Sequence, residues 1–165
     1  MISKQENAGV AYQKRGLAWT TQKNLDQAFR DFNKAIELSA VEPQMYNNRG
    51  NIYVQQKKYD EARADYNKAL QLDPAYFFAY NGLGASFLQQ EKYAQAIPEF
   101  SKAIEIQPRY GEAYFNRSIA RHSLDQQAAS CQDLQKAVTL AHRPAAQLYD
   151  QWCRNIAEKA EPVSK

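Results

Sequence analysis

The amino-acid sequence predicts an all-α solenoid of stacked helix–turn–helix repeats, and three observations lead to this prediction. First, glycines recur every 34 residues, at Gly16, Gly50 and Gly84, with Ser118 next in register. Second, other residues recur with the same period: Tyr12, Tyr46, Tyr80 and Tyr114; Ala35, Ala69, Ala103 and Ala137. Third, each period holds two apolar patterns of helical spacing, separated by a short polar turn. A fixed period in this range is typical of an array in which each repeat packs only on its neighbours.

Four frames of one period each fit the sequence without an insertion: 9–42, 43–76, 77–110 and 111–144. Their first helices are expected over about 9–22, 43–56, 77–90 and 111–124, and their second helices up to about 38 and over 59–72, 93–106 and 127–140. Pro98 lies early in one of these helices, where we expect a small bend and no break. A capping helix is expected over 145–160, between a flexible segment 1–8 and a tail 161–165.

Composition and charge exclude several classes of protein. Charged residues make up 24% and hydrophobic residues 44% of the chain, which is typical of a globular protein and not of a disordered one. The net charge is +3, with acidic and basic residues interleaved, so we expect no nucleic-acid partner. No apolar run is long enough to span a membrane, so no membrane insertion is expected. The first ten residues lack the apolar core of a signal peptide, which favours the cytoplasm by default, although an exported, periplasmic domain with an added Met would look the same.

Three arginines each precede an aspartate by 16 residues: Arg15 and Asp31, Arg49 and Asp65, Arg117 and Asp133. This spacing predicts an ion pair between the two helices of repeats one, two and four. In repeat three the same positions hold Leu83 and Glu99. We expect the pairs to set helix geometry more than stability, because exposed pairs contribute about 0–1 kcal/mol.

The repeat resembles the tetratricopeptide repeat family over residues 9–144. In repeat two the matching residues are Tyr46, Arg49, Gly50, Tyr53, Ala62, Tyr66, Ala69 and Pro74. The resemblance implies a right-handed α-α superhelix of four repeats, closed by a C-terminal capping helix. The last repeat and the helix that carries Cys153 look like the end of many bacterial proteins of this type.

No catalytic constellation is visible, so an enzyme is not expected, and neither is a cofactor or a metal ion. The sequence has no phosphate-binding glycine loop, no HExxH motif and no nucleophile with a partner base. Cys131 and Cys153 leave three alternatives open. They form a disulfide if their Cα atoms lie within about 7 Å, which would imply an oxidising compartment. They bind zinc together with His122 and His142, although the spacing matches no metal motif. Or they are two small buried thiols.

The resemblance also implies that the first helix of each repeat lines a concave groove. The candidate peptide-binding residues are Gln13, Lys14, Asn47, Asn48, Asn51, Phe78, Asn81, Phe115, Asn116 and Ile119. An amide side chain offers two donors and an acceptor, which matches a peptide backbone. Phe78 and Phe115 are expected to be neighbours, with Ile119 close by, and to anchor apolar side chains. The alternative is that the asparagines are polar filler and the phenylalanines pack between repeats.

The predicted function is therefore a non-enzymatic scaffold that binds an extended peptide or a helix of a partner protein. The alternative is a structural protein that self-associates through its convex face or its open N-terminal end, as a homo-oligomer. Members of the family that hold the C-terminal carboxylate of heat-shock chaperones use a clamp with cationic positions. The positions that match the clamp are Gln13, Leu17, Asn48, Phe78 and Gly82 or, one repeat later, Asn47, Asn51, Gly82, Glu112 and Asn116. Both lack the cations, so this clamp is not expected.

Overall fold

The computed structural model describes residues 4–38 and 42–153, which form nine helices and no strand. The helices are α1 Lys4–Thr21, α2 Leu25–Glu37, α3 Pro43–Gln55, α4 Tyr59–Leu72, α5 Phe77–Leu88, α6 Tyr93–Ile106, α7 Gly111–His122, α8 Gln127–Thr139 and α9 Arg143–Trp152. This is the all-α solenoid of helix pairs that the period predicts. None of the described helices is long and apolar enough to cross a membrane.

Most helix bounds agree with the sequence patterns, and two differ. α1 begins at Lys4, so it includes part of the segment 1–8 that was predicted to be flexible. α9 begins at Arg143, two residues before the predicted start, and ends at Trp152, with Cys153 as its C-cap. Residues 154–165, with the rest of the predicted capping helix and the tail, lie outside the described residues. α6 runs through Pro98 without a break, because the proline lies near the start of the helix.

The chain divides into two compact units, Met1–Ser86 and Phe87–Lys165. In the first unit α1 packs on α2, α3 packs on α4, and α2 also contacts α3. Two of its buried clusters are Ala28, Phe32 and Ile52, and Ala62, Tyr66, Ala69, Ala79 and Leu83. In the second unit α7 packs on α6 and α8, and α9 packs on α8. Its clusters are Ala96, Phe100 and Ala120, and Leu134, Ala137, Ala145 and Cys153.

The ring of Tyr66 explains why two helices of the first unit carry glycine. A Cβ atom added to Gly50 of α3 would lie 2.8 Å from Tyr66 Cε1, and one added to Gly82 of α5 would lie 2.4 Å from the same atom. A side chain at either position would overlap with the ring, which is 1% exposed. The period at Gly50 thus reflects close packing between α3 and α4. Gly82, which matches a clamp position, also makes room for Tyr66.

The turn inside each helix pair repeats one backbone conformation. Lys23, Lys57, Glu91 and Asp125 have φ of 59°, 59°, 58° and 57°, in the left-handed region. These residues are 34 positions apart, so the period of the sequence is also a period of the backbone. Residues other than glycine rarely adopt this backbone conformation, and the repeated helix packing stabilises it here.

All three predicted arginine–aspartate pairs are present. Nε and Nη2 of Arg49 donate to the two carboxylate oxygens of Asp65 at 2.7 and 2.6 Å, and these bonds raise the pKa of Arg49 above its usual value. Arg15 and Arg117 bind their aspartates in the same two-pronged way. The expectation that the pairs are exposed is wrong for the carboxylates, whose side chains are 4–8% exposed. A buried carboxylate needs its cation, so each pair joins the two helices of its own repeat.

Candidate peptide-binding face

The predicted groove residues of the first unit lie on its first helices. Gln13 and Lys14 are on α1, three asparagines are on α3, and α5 carries Phe78 and Asn81. We call these seven residues, which the resemblance predicts to share one side of α1, α3 and α5, the amide face. The residues that belong to it are Gln13, Lys14, Asn47, Asn48, Asn51, Phe78 and Asn81.

Asn47 and Asn48 each carry one unpaired amide atom on this face. Asn47 is 6% exposed, and its Oδ1 atom is buried with no hydrogen-bond donor among the described residues. Nδ2 of Asn48 is likewise buried without an acceptor there. A buried polar atom without a partner costs about 1–3 kcal/mol, so native proteins rarely keep one without a reason. The two atoms are an acceptor and a donor on adjacent residues, which is the pair that a peptide group requires.

Other residues of the amide face are already bound within the fold. Nε2 of Gln13 donates to Oε2 of Glu42 at 3.0 Å and to Oε1 of Gln44 at 3.3 Å, so Gln13 joins α1 to the start of α3. Oδ1 of Asn51 accepts a 2.8 Å bond from the Tyr66 hydroxyl. Asn81 is 7% exposed, whereas Lys14 is exposed. Gln13 and Asn51 thus have structural contacts that sequence reasoning did not anticipate.

Phe78 offers apolar surface at the start of α5. Its side chain is 42% exposed, one of few large apolar residues with that much exposure in the described chain. Its ring lies 4.1 Å from that of Phe77 and 5.5 Å from that of Tyr76, measured between centroids. Three consecutive aromatic rings therefore form one cluster, and Phe78 is its exposed member.

The remaining predicted groove residues are on α7 in the second unit. Phe115 is half-buried, packs against the cluster around Leu134 and lies 4.7 Å from the ring of His142. Asn116 and Ile119 are also half-buried. Phe115 thus contributes to the core of its own unit, as the alternative interpretation expected.

The two cysteines join the C-terminal helix to the helix before it. Cys131 Sγ of α8 is bonded to Cys153 Sγ, and their Cα atoms are 5.5 Å apart. Nε2 of Gln127 donates to the carbonyl oxygen of Trp152 at 3.0 Å, and the Trp152 ring stacks on His122 at 3.7 Å. Sulfurs bonded to each other are not available as the thiolate ligands that zinc binds.

Sequence reasoning missed two residues that form hydrogen bonds with the predicted ones. Arg121, which replaces the aromatic residue of the earlier repeats, donates from Nη1 to Oδ2 of Asp133 at 2.8 Å. Asp133 therefore binds two arginines, Arg117 and Arg121. The other is Tyr66, whose hydroxyl reaches the amide face at Asn51. The change from an aromatic residue to Arg121 was a sequence signal that could have revealed the first contact. The sequence gives no such signal for the contact of Tyr66 with Asn51.

Two family models match the chain, one described as TPR repeat over residues 50–91 and one described as Tetratricopeptide repeat over residues 77–110. The helix pairs, the period and the packing glycines agree with these matches. The chain contains tetratricopeptide repeats. A comparison with curated proteins gave no match.

Solved structures of other tetratricopeptide-repeat proteins share the fold. The thermophilic protein TTC0263 of Thermus thermophilus superimposes with a TM-score of 0.79 at 18% identity, over 89% of this chain and 84% of that one. The first such domain of Spaghetti (RPAP3), bound to the HSP90 peptide SRMEEVD, has a TM-score of 0.68 at 23% identity, over 73% and 95%. The Arabidopsis OM64 domain gives 0.68 at 22%, over 72% and 98%. The bacterial subtype stays a prediction.

Proposed function

We propose that this tetratricopeptide-repeat protein is a non-enzymatic scaffold whose amide face binds an extended segment of a partner protein. The unpaired amide atoms of Asn47 and Asn48 carry this proposal. Both atoms are buried in the unbound chain, so the two amides would turn outward on binding. A segment that lies along α3 would then donate a backbone N–H to Asn47 Oδ1 and accept from Asn48 Nδ2 with a carbonyl. Each bond would satisfy an atom that the fold leaves unpaired, so binding recovers a cost already present in the unbound chain.

The exposed ring of Phe78 supports the same use of the face. An aromatic side chain beside polar groups is typical of an interface anchor, since it gives a large apolar contact area. Its neighbours Phe77 and Tyr76 restrict its motion, so less conformational entropy is lost on binding. We therefore expect the bound segment to place an apolar side chain against Phe78.

The charge of the amide face indicates the kind of segment that it accepts. Lys14 is the only charged side chain among the seven residues that define the face. The RPAP3 domain named above is bound to an acidic peptide, and the face of the present chain offers little to such a ligand. We infer that the partner segment is uncharged and extended, and that its binding depends weakly on salt, because ion pairs contribute little to it.

The test is capture of the partner from native lysate by the wild-type chain and by the Asn47→Leu/Asn48→Leu variant. Leucine removes both amides and keeps the same number and branching of side-chain heavy atoms. The free energy of unfolding of the variant should therefore rise by about 1 kcal/mol or more, and its melting temperature should rise with it. It should nevertheless lose the partner. Asn67→Leu is the matched control, because Asn67 is an exposed asparagine of α4 that lies outside the amide face.

The outcomes separate binding from folding. A partner held by the wild type and by Asn67→Leu, and lost by the more stable double variant, supports the amide face as the site. Equal capture by the double variant would contradict the proposal. A double variant that is less stable than the wild type would also contradict it, since the two amides would then have structural partners.

A further inference from the structure

One side of α1 is exposed where the corresponding side of every later first helix is covered. Ala11, Arg15 and Ala18 follow one another at spacings of four and three residues, so they lie on one side of the helix. All three are exposed. With Tyr12 they form what we call the end face, and Ala11, Tyr12 and Arg15 line an open depression of about 170 Å³ there.

The register equivalents of these residues are buried. Met45 and Ile52 of α3 are 0% and 1% exposed, and Ala113 and Ala120 of α7 are both 0% exposed. In each case the equivalent of Ala11 or Ala18 lies beneath another helix, whereas on α1 it faces solvent. The end face is therefore the same kind of surface as two covered interfaces within this molecule.

The first of those interfaces shows what covers the surface. α2 packs against α3, where Met45 lies in one cluster with Ala35 and Ile36. Nη1 of Arg49, which its aspartate does not use, donates to Oδ1 of Asn33 at 2.7 Å. A helix that carries Asn, Ala and Ile at these three positions thus fits the surface of α3.

The second interface repeats this arrangement. α6 packs against α7, and Nη1 of Arg117 donates to Oγ of Ser101 at 2.9 Å. The covering segments of α2 and α6 have nearly the same sequence, and α4 carries it as well. The three segments are Asn33-Lys34-Ala35-Ile36, Asn67-Lys68-Ala69-Leu70 and Ser101-Lys102-Ala103-Ile104. The lysine at the second position is exposed in all three segments. The residues that make contact are therefore the first (Asn or Ser), the third (Ala) and the fourth (Ile or Leu).

Arg15 lacks the partner that this segment supplies elsewhere. It binds Asp31 with Nε and Nη2, as its equivalents bind their aspartates. Its Nη1 has no acceptor among the residues that the structure describes. The Arg15 side chain is 58% exposed, compared with 18% for Arg49 and 14% for Arg117.

We propose that the end face binds a helix of a partner protein that carries the sequence Asn/Ser-x-Ala-Ile/Leu. The Asn or Ser oxygen would accept from Arg15 Nη1, the Ala would pack on Ala11, and the aliphatic side chain would fill the depression beside Tyr12. This site is separate from the amide face and does not depend on it.

A second copy of the chain does not suit this role. The alanines of its own three segments, Ala35, Ala69 and Ala103, are all 0% exposed. Within residues 4–38 and 42–153, the folded chain therefore has no such segment to offer, and a second copy would have to unfold a repeat to supply one. The partner is a different protein with an exposed helix of this sequence.

The test uses a peptide with the sequence of residues 25–38, LDQAFRDFNKAIEL, as the probe. A hydrocarbon staple in place of Asp26 and Arg30, both exposed in the folded chain, keeps the peptide helical. Fluorescence anisotropy should show saturable binding to the full chain with Kd below about 1 mM. A control peptide in which the alanine at position 35 is Glu should bind at least about tenfold more weakly, since it buries an unpaired charge.

Two variants of the chain locate the probe. Ala11→Glu puts a carboxylate on the end face and should weaken binding at least about tenfold, a loss of about 1.4 kcal/mol. Ala64→Glu, at an exposed alanine of α4, should bind as the wild type does. Both positions are exposed, so thermal unfolding of the two variants should match.

Three results would overturn the proposal. The first is no saturable binding of the stapled probe. The second is equal binding by Ala11→Glu and the wild type, which would mean that the probe replaces α2 at its own place. The third is a wild-type dimer on size-exclusion chromatography that Ala11→Glu dissociates, because a second copy would then occupy the end face.

Discussion

α1 and α3 have closely similar sequences around their arginines, yet the two arginines are in different environments. Each helix carries Tyr-x-x-Arg-Gly, and each arginine binds an aspartate with two hydrogen bonds. Arg49 also binds Asn33 and lies between the rings of Tyr46 and Tyr53, at 5.7 and 5.9 Å. The side chain of Arg15 is mostly exposed. A covering helix thus decides whether a repeated residue acts as an internal support or as an exposed donor.

The C-terminal end gives a second contrast with α1. Ala145 is the third residue of α9, as Ala113 is of α7, and it is 0% exposed, because α9 packs on α8. The Cys131–Cys153 bond and the hydrogen bond from Gln127 to Trp152 also fix that end. α8 is therefore covered, whereas the end face of α1 is open among the described residues. The comparison predicts larger losses of stability at covered positions.

The largest expected effect is the difference between Asp65→Ala and Asp31→Ala. Without Asp65, Arg49 remains largely buried with an uncompensated charge, which costs about 3–5 kcal/mol. Without Asp31, Arg15 can turn into water, and the loss should be about 1 kcal/mol. Urea unfolding of both variants measures the difference. Equal losses would mean that the covering helix does not change the contribution of the ion pair to stability.

The next effect concerns the covered C-terminal end. The Cys131→Ser/Cys153→Ser variant should lose about 3 kcal/mol, because the bond closes a segment with a sequence separation of 22. Thermal unfolding of this variant, beside the oxidised wild type, measures the loss. Reductant should lower the melting temperature of the wild type and leave that of the variant unchanged. An unchanged wild type in reductant would show that the bond does not support the end.

The smallest effect tests repeat three, which has Leu83 in place of the arginine of the ion pair. Glu99 stands at the register position of Asp65, is half-buried, and has no ion pair in the part of the chain that the structure describes. Burial raises the pKa of its carboxyl above the usual 4.5. The ionised form is therefore less stable in the folded chain than in the unfolded chain, and this penalty disappears as the pH falls below the usual pKa.

Glu99→Gln should accordingly raise the melting temperature at neutral pH. It should have no effect near about pH 3.5, where the carboxyl is protonated in both states. Circular dichroism melts at the two pH values measure this difference, with Glu91→Gln at an exposed position as the control. A stabilisation that is the same at both pH values would show that charge is not its cause.

The period made the helix pairs and their ion pairs predictable. The 16-residue spacing of Arg49 and Asp65 located a contact that the structure contains, because both residues recur in register. Burial of the aspartates was not predictable in this way, since it depends on the helix that packs over them. The left-handed turn at Lys57 was also hidden, because lysine gives no local sign of a positive φ.

The amide face shows the same limit more strongly. The resemblance identified its residues by position, but position does not say which amides the fold already uses. Asn51 binds Tyr66, a residue 15 positions further along the chain on α4, whereas Asn48 has an amide atom without a partner. Only the packed side chains distinguish these two asparagines, which the sequence presents as equivalent.

The most direct test of this account compares the arginines themselves. Spectra of the ¹⁵N-labelled chain resolve the Nε–H signal of each arginine, and the stapled peptide of residues 25–38 is then added. The Arg15 signal should shift as its Nη1 gains an acceptor, while those of Arg49 and Arg117 should stay in place. A shift of the Arg49 signal, or an Arg15 signal that does not respond to bound peptide, would contradict it.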